Sequence, residues 1–199
     1  MKGFLLTIFS FLFVIPGFSQ GNREYRDSVQ SYIRNYIRNH EVVTGKDKQY
    51  LHFFPVDEQY RVLCHFEKKE NSPWFRMETS GLIRKNYRVY GTLSFYIHDT
   101  LVSLQVYQSQ SLMQDPVYRE YLFLPFTDAT TGIDSYSGGR YYDFTMNEIQ
   151  NNRVTIDFNK AYNPYCAYIS GKYNCPIPPK ENNLPVAIRA GEMAYGKSH

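Results

Sequence analysis

The chain has few of the residues on which metal and nucleotide chemistry depends. Its 199 residues include 3 cysteines, 5 histidines and 1 tryptophan, and no CxxC spacing, HExxH spacing or histidine cluster occurs. A closed zinc site needs four such ligands at suitable distances, so no metal site is predicted. Phosphate-cradling glycine loops of the GxGxxG or GxxxxGK type are also missing. We therefore expect no nucleotide or other cofactor.

An excess of charge of one sign is missing too. There are 22 lysines and arginines against 19 aspartates and glutamates, which gives a net charge of +3 at pH 7. The basic residues are interspersed with acidic and aromatic ones. Because nucleic-acid-binding domains concentrate basic residues on one face, nucleic acid is not expected as a partner.

Long apolar runs are limited to one segment at the N terminus. Lys2 precedes an apolar stretch over residues 3–15, which is too short to span a bilayer as a permanent helix. Gly17 and Ser19 place small residues at the −3 and −1 positions of a cleavage site. We predict a signal peptide over residues 1–19 and an exported protein, periplasmic or secreted, without a permanent membrane span. A retained anchor is the alternative, whereas Gln20 in place of a cysteine disfavours a lipoprotein.

Aromatic residues are plentiful at 17% of the chain, with 19 tyrosines and 14 phenylalanines. Tyrosine favours strands and keeps a hydroxyl for the wet edge of a sheet, so the composition favours a β-rich protein. The alternative is a stacking surface for sugars or peptides. Strand-like alternation accounts for most of the rings, and we therefore prefer the first interpretation.

The first part of the mature chain has the spacing of one amphipathic helix. Apolar residues recur at helical intervals after a possible cap at Asn22, and arginines fall on the opposite face. The apolar positions are Tyr25, Val29, Tyr32, Ile33, Tyr36 and Ile37.

From residue 50 onward the period changes to two, which predicts β-strands joined by short turns. The predicted strands are Tyr50–Phe54, Tyr60–Glu67, Trp74–Glu78, Tyr87–Ile97, Thr100–Tyr107, Tyr121–Leu124, Arg140–Phe144, Arg153–Phe158 and Pro185–Ala190. Sequential strands with short turns favour antiparallel neighbours. We predict one mainly β (α+β) domain over residues 20–199, an antiparallel meander forming a sandwich or a partly open barrel. Residues 126–140 are predicted to form a flexible, hydroxyl-rich loop.

Several motifs follow one another in the second half of the chain. They are FTDATTG (126–132), YSGGR (136–140), DFN (157–159), AYNPYCAY (161–168), CPIPPKEN (175–182) and AIRAGE (187–192). With HEVVTGKDKQYLHFFPVDEQYRV (40–62), they resemble the bacterial family of unknown function DUF1684, in the form found in its Bacteroidetes-type members. The resemblance implies an uncharacterised family, and no established catalytic or binding residue comes with it.

The cysteines divide into a pair and a single residue. Cys166 and Cys175 lie nine positions apart between prolines, and in an exported protein a disulfide is favoured over a thiolate metal site, which would need two further ligands. Cys64 alternates with apolar strand residues and is predicted to be a buried free thiol.

Polar residues concentrate in the 126–140 loop and the 157–192 block. They could line a pocket for a small or anionic ligand, or they could hold the turns together. The candidate ligand-binding residues are Asp128, Arg140, Asp157, Asn159, Asn163, Glu181, Asn182 and Glu192. Because Arg140 follows a glycine pair that can turn it inward, we expect an ion pair with Asp157, Glu181 or Glu192.

Three functions are compatible with this pattern. We favour an uncharacterised exported protein that binds an unknown small molecule at the polar pocket. A carboxylate-dependent hydrolase would need two carboxylates facing one pocket, and whether the protein is an enzyme stays open. A structural envelope protein would need no pocket.

Overall fold

The computed structural model of the protein describes residues 17–197. The first sixteen residues of the predicted signal peptide lie outside the described residues. The strands are β1 (Arg61–Lys68), β2 (Phe75–Met77), β3 (Lys85–Ile97), β4 (Thr100–Ser109), β5 (Tyr121–Phe126), β6 (Arg140–Thr145) and β7 (Arg153–Asp157). The α-helices are α1 (Gly17–Asn39) and α2 (Gln110–Met113). Short 3-10 helices occupy Gly45–Tyr50, Glu58–Tyr60, Met146–Glu148, Phe158–Lys160, Tyr165–Ala167 and Lys180–Asn182.

The strands form one antiparallel sheet in the order β6-β5-β4-β3-β1-β7, and β2 pairs with the first residues of β3. Strands β3 to β6 are a meander, as predicted, and β3 and β4 meet at the predicted turn His98-Asp99. A register shift between Val89 and Gly91 marks a bulge in the long strand β3, and bulges increase the local bend and twist. The sheet curls into a half-barrel, which confirms the predicted mainly β fold.

The main core lies on one face of this sheet. Alternate residues of β1 and β3 point into it, and it includes Phe95, Leu104, Leu124, Ile156 and Phe158. Complete burial of each such side chain contributes about 1.5–3 kcal/mol to stability. Cys64 belongs to this core as a free thiol, as predicted.

The other face of the sheet is also covered, in a patch to which each of the strands β2 to β6 contributes one buried residue. A second cluster of buried residues there contains Met77, Tyr87, Tyr107, Phe123 and Tyr141. Strand β5 is therefore buried at nearly every position, and its sequence reads as a continuous apolar run. Many of the tyrosines are thus packing residues of the sheet.

Helix α1 has the predicted apolar face, with Val29 fully buried against the rest of the protein. Asn22 lies inside this helix and is not its cap, and its side chain instead accepts a hydrogen bond from Arg26 (3.0 Å). Among residues 17–197, no helix is long and apolar enough to cross a membrane.

Two of the nine predicted strands are wrong. Within Tyr50–Phe54 only Phe53 makes a ladder contact, an isolated bridge to Glu192, and Pro185–Ala190 is irregular. The carbonyl groups of the second segment are occupied elsewhere, because Ile188 and Ala190 accept hydrogen bonds from the Arg140 side chain. An apolar alternation alone does not reveal that a side chain will satisfy these backbone groups.

Candidate functional site

Arg140 is the centre of a buried polar cluster. The guanidinium Nη2 donates to Asp128 Oδ2 (2.5 Å) and to the Ile188 carbonyl (2.8 Å), and Nη1 donates to the Ala190 carbonyl. Both side chains of the Arg140–Asp128 pair are essentially unexposed. Asp128 is not one of the three carboxylates expected to pair with Arg140, which were Asp157, Glu181 and Glu192.

Two glycines direct the polar residues that follow them. Gly139 precedes Arg140 with φ +82°, and Gly191 precedes Glu192 with φ +79°. At each position a Cβ atom would lie 2.6 Å from a backbone carbonyl oxygen, so only glycine fits. The YSGGR and AIRAGE motifs thus set the direction in which Arg140 and Glu192 enter the interior.

The loop that carries Asp128 is compact. Asp128 Oδ1 accepts the Thr130 amide (2.6 Å), and the buried Thr130 and Ser135 hydroxyls lie 2.9 Å apart. The Thr130 carbonyl also accepts the amides of residues 133–135. These contacts give the predicted flexible loop a defined, hydrogen-bonded path.

Asp157 and Asn159 form a second polar cluster that attaches α1. Asp157 Oδ1 accepts hydrogen bonds from the Tyr25 hydroxyl and from Asn159 Nδ2, both at 2.9 Å. Asn159 also pairs with the backbone of Asp57, accepting its amide at 2.9 Å and donating to its carbonyl at 2.8 Å. These contacts hold the helix and two loops together.

Asn182 bridges two strands, while Glu181 is exposed. The Asn182 side chain accepts the Gln105 amide (2.8 Å) and donates to the carbonyls of Gln105 (2.8 Å) and Pro125 (2.7 Å). Strands β4 and β5 share one ladder pair, Tyr107 with Phe123, so this side chain links them where the ladder does not continue.

Glu192 is fully buried and accepts three hydrogen bonds. Tyr168 donates its hydroxyl to Oε1 (2.7 Å), and the Tyr36 hydroxyl (3.0 Å) and Asn163 amide (2.9 Å) donate to Oε2. Burial raises the pKa of Glu192 to about 7, although the three donors oppose that shift. Burial therefore favours the protonated form of this carboxyl group.

A groove of about 450 Å³ lies beside this carboxyl group, between α1 and residues 162–165. We call it the tyrosine groove, and its residues are Tyr32, Asn35, Tyr36, Asn39, His40, Glu41, Tyr162 and Tyr165. The Tyr36 hydroxyl connects the groove to Glu192.

His40 lines this groove, and its enclosed Nε2 atom is a hydrogen-bond donor without a partner in the described part of the chain. Its Nδ1 accepts the amides of Val42 (3.3 Å) and Val43 (2.9 Å), so the proton of the neutral ring is on Nε2. The ring is 7% exposed, and Nε2 has no hydrogen-bond partner within the described part of the chain. Burial first, and then the charge of Lys48, lower the pKa of His40 and favour the neutral ring.

The eight candidate residues are thus divided among separate places, and none of them lines the tyrosine groove or three further cavities in the described part of the chain. The groove residues were missed because Tyr32 and Tyr36 have the spacing of a packing face. The chain brings them together with Tyr162 and Tyr165 from more than 120 residues away. The sequence feature that could have indicated the groove was the high tyrosine content, for which a stacking surface for sugars or peptides was the alternative interpretation.

The predicted disulfide is present between Cys166 and Cys175, with the Cα atoms 6.3 Å apart. Closing a loop of this length contributes about 2.7 kcal/mol to stability in the chain-entropy treatment. Tyr165 directly precedes Cys166, so the bridge restrains the segment that forms one wall of the groove.

Fold and site together define an antiparallel β half-barrel with an N-terminal helix packed against an irregular C-terminal block. Residues 47–193 match the family model described as "Protein of unknown function (DUF1684)", and the chain belongs to this family. The family resemblance is confirmed, while the Bacteroidetes-type and exported assignments stay predictions.

Among solved structures, the following is similar over most of the chain. It is the solution NMR structure of an uncharacterized protein from gene locus rrnAC0354 of Haloarcula marismortui, with 29% identity and a TM-score of 0.63. The match covers 88% of this chain and 97% of that chain. No curated protein matches the chain.

Proposed function

We propose that the protein binds a small, hydroxyl-rich ligand such as a saccharide in the tyrosine groove. Ligand sites are concave, largely aromatic or apolar, and carry a few polar groups that fix the ligand's orientation. The groove has this composition, because tyrosine rings alternate there with asparagine side chains and one imidazole.

The observation that carries this proposal is the exposure of two aromatic rings in the groove, those of Tyr32 and Tyr165, which are each 37% exposed. Exposed tyrosine rings offer apolar area on which the face of a sugar ring packs. Asn35 and Asn39 supply donors and acceptors for its hydroxyl groups.

The charge of the groove favours a neutral ligand over an anion. Its ionisable residues other than tyrosine are Glu41 and the neutral His40, and no lysine or arginine is among the described lining residues. Glu41 is held by the Tyr165 hydroxyl (2.8 Å) at the rim. An anionic ligand would meet no cation here.

This groove overlaps in part with the pocket that the sequence predicts between the 126–140 loop and the 157–192 block. Tyr162 and Tyr165 belong to the 157–192 block, whereas the 126–140 loop supplies Asp128 and Arg140 to the protein interior. A hydrolase with paired carboxylates has less support, since Glu41 is the one carboxylate among the described lining residues and Glu192 lies behind Tyr36.

Export of the protein as one mature domain over residues 20–199 is a further part of the proposal. The Cys166–Cys175 disulfide supports it, because such bridges persist in oxidising compartments. Intact mass of the protein purified from the envelope fraction would test it. A species retaining residues 1–19 would count against the proposal.

Saccharide binding can be tested by ligand-observed NMR with a panel of monosaccharides and disaccharides. Tyr32→Ala and Tyr165→Ala remove rings that are each 37% exposed, and either change should abolish the signal of a binding sugar. Tyr96→Ala is the matched control, because Tyr96 is an exposed strand tyrosine that does not line the groove. Equal binding by all three variants would place the ligand elsewhere.

A further inference from the structure

A second cleft of about 450 Å³ opens where the end of β1 meets the middle of β3 and the end of β4. It shares no lining residue with the tyrosine groove. Four basic side chains line it, namely Lys68, Lys69, Arg88 and Arg119. The inference drawn from this cleft is independent of the saccharide proposal.

Arg88 is held in a fixed orientation by neutral groups. Its Nε and Nη2 donate to Oε1 of the buried Gln108 at 2.8 and 2.6 Å. Its guanidinium carbon lies 5.0 Å from the centre of the Trp74 ring. Both hydrogen bonds leave Nη1 available, and no carboxylate in residues 17–197 forms an ion pair with Arg88.

The other charges of the cleft leave it positive. Glu70 is paired with Lys68 (3.2 Å), and Glu120 accepts a hydrogen bond from Asn147 outside the cleft (2.7 Å). Four cations thus face two carboxylates, one of which is already paired. This excess of positive charge raises the local concentration of anionic ligands.

The cleft also has an apolar wall, formed by Tyr90, Met113 and Met146. Tyr90 and Met146 pack against the main core, so this wall is anchored to the sheet. A pre-oriented guanidinium next to an apolar wall fits a molecule with an anionic head and an apolar body.

We propose that this cleft binds small organic anions. Their carboxylate or phosphate group contacts Arg88 and Lys69, and their apolar part lies against Tyr90, Met113 and Met146. Arg88 is the specificity-determining residue, because two hydrogen bonds to Gln108 orient its guanidinium in advance without neutralising its charge.

Fluorescence titration with 8-anilinonaphthalene-1-sulfonate tests this proposal, since the probe carries a sulfonate on an aromatic body. Wild-type protein should bind it saturably, and Arg88→Met should raise its Kd at least ~10-fold. Arg153→Met removes an exposed strand arginine outside the cleft and should leave the Kd unchanged. N-phenyl-1-naphthylamine, which has the same body without the sulfonate, should bind more weakly to wild type and respond little to Arg88→Met.

Further measurements separate charge from folding and from the tyrosine groove. Lys69→Met/Arg119→Met alters two exposed side chains and should raise the Kd at least ~3-fold, with an unchanged circular dichroism spectrum. Octanoate should displace the probe, whereas octanol should not. Probe binding that survives Arg88→Met in a folded variant, or that is lost in Tyr32→Ala, would overturn the proposal.

Discussion

Replacing Arg140 with methionine should strongly destabilise the protein. The substitution keeps most of the side-chain volume but removes the charge that compensates Asp128, which is unexposed. It also removes the donors to the carbonyls of Ile188 and Ala190. Wild-type stability therefore depends on Arg140, whose side chain links β6 to the backbone of Ile188 and Ala190.

The size of the expected destabilisation follows from the burial of the Arg140–Asp128 ion pair. Removing one partner of a buried ion pair costs about 3–5 kcal/mol, because an uncompensated charge stays in the interior. For a protein of this size, about 1 kcal/mol corresponds to a 2–4 °C change in Tm, so we expect a decrease of roughly 6–20 °C. The unpaired carbonyls act in the same direction but do not add fully, since all these contacts share one side chain.

The measurement is urea unfolding followed by far-UV circular dichroism, with Arg189→Met as the matched control. Arg189 also forms an ion pair, with Asp134 at 2.9 Å, but its side chain is 61% exposed. Such a pair contributes about 0–1 kcal/mol. The double variant Arg140→Met/Asp128→Leu should be less destabilised than Arg140→Met alone, because it leaves no unpaired charge. If Arg140→Met and Arg189→Met lose stability equally, the buried-pair reasoning is refuted.

Three more predictions concern the other buried polar groups. The folded-state pKa of Glu192, about 7, lies above the value of about 4.3 for an unfolded chain, so its contribution to stability is fully present below pH ~4.3 and is lost as pH rises through 7. The free energy of unfolding should therefore fall over that range in wild type relative to Glu192→Gln, and parallel pH profiles would contradict the assignment. Asn182→Ala leaves two carbonyls and an amide without partners, so it should lower the free energy of unfolding in urea by roughly 3 kcal/mol. Asn183→Ala changes an exposed side chain and should lower it by under about 1 kcal/mol. Similar losses in the two variants would exclude the bridging role of Asn182. Thiol titration of denatured, unreduced protein should find one free cysteine, Cys64. In the folded protein this thiol should not react at pH 8, because burial raises its pKa to about 12. Three free thiols in the denatured protein would show that the disulfide does not form in solution.

The candidate site was only partly predictable, for a reason that Glu192 illustrates. Its neighbours in sequence indicate a turn, and Gly191 indicates an unusual backbone, but its hydroxyl partners come from Tyr36 and Tyr168. The first of these lies 156 positions away, on the helix. A composition of carboxylates and amides indicates that a polar network will form without indicating which groups will be left to face a ligand.

By itself the sequence determined the parts of this protein that depend on short-range periodicity. The amphipathic helix, seven of the strands and the buried Cys64 follow from periodicity, because side chains alternate with a period of 2 in strands and 3.6 in helices. The turn His98-Asp99 follows from its position between two strand patterns, and the cysteine pair follows from its short separation between prolines. Tertiary structure alone decided that Arg140 pairs with Asp128, and that α1 meets residues 162–165 to form the tyrosine groove. These contacts depend on how separate segments pack against one another, and no short-range pattern encodes the energy of such packing.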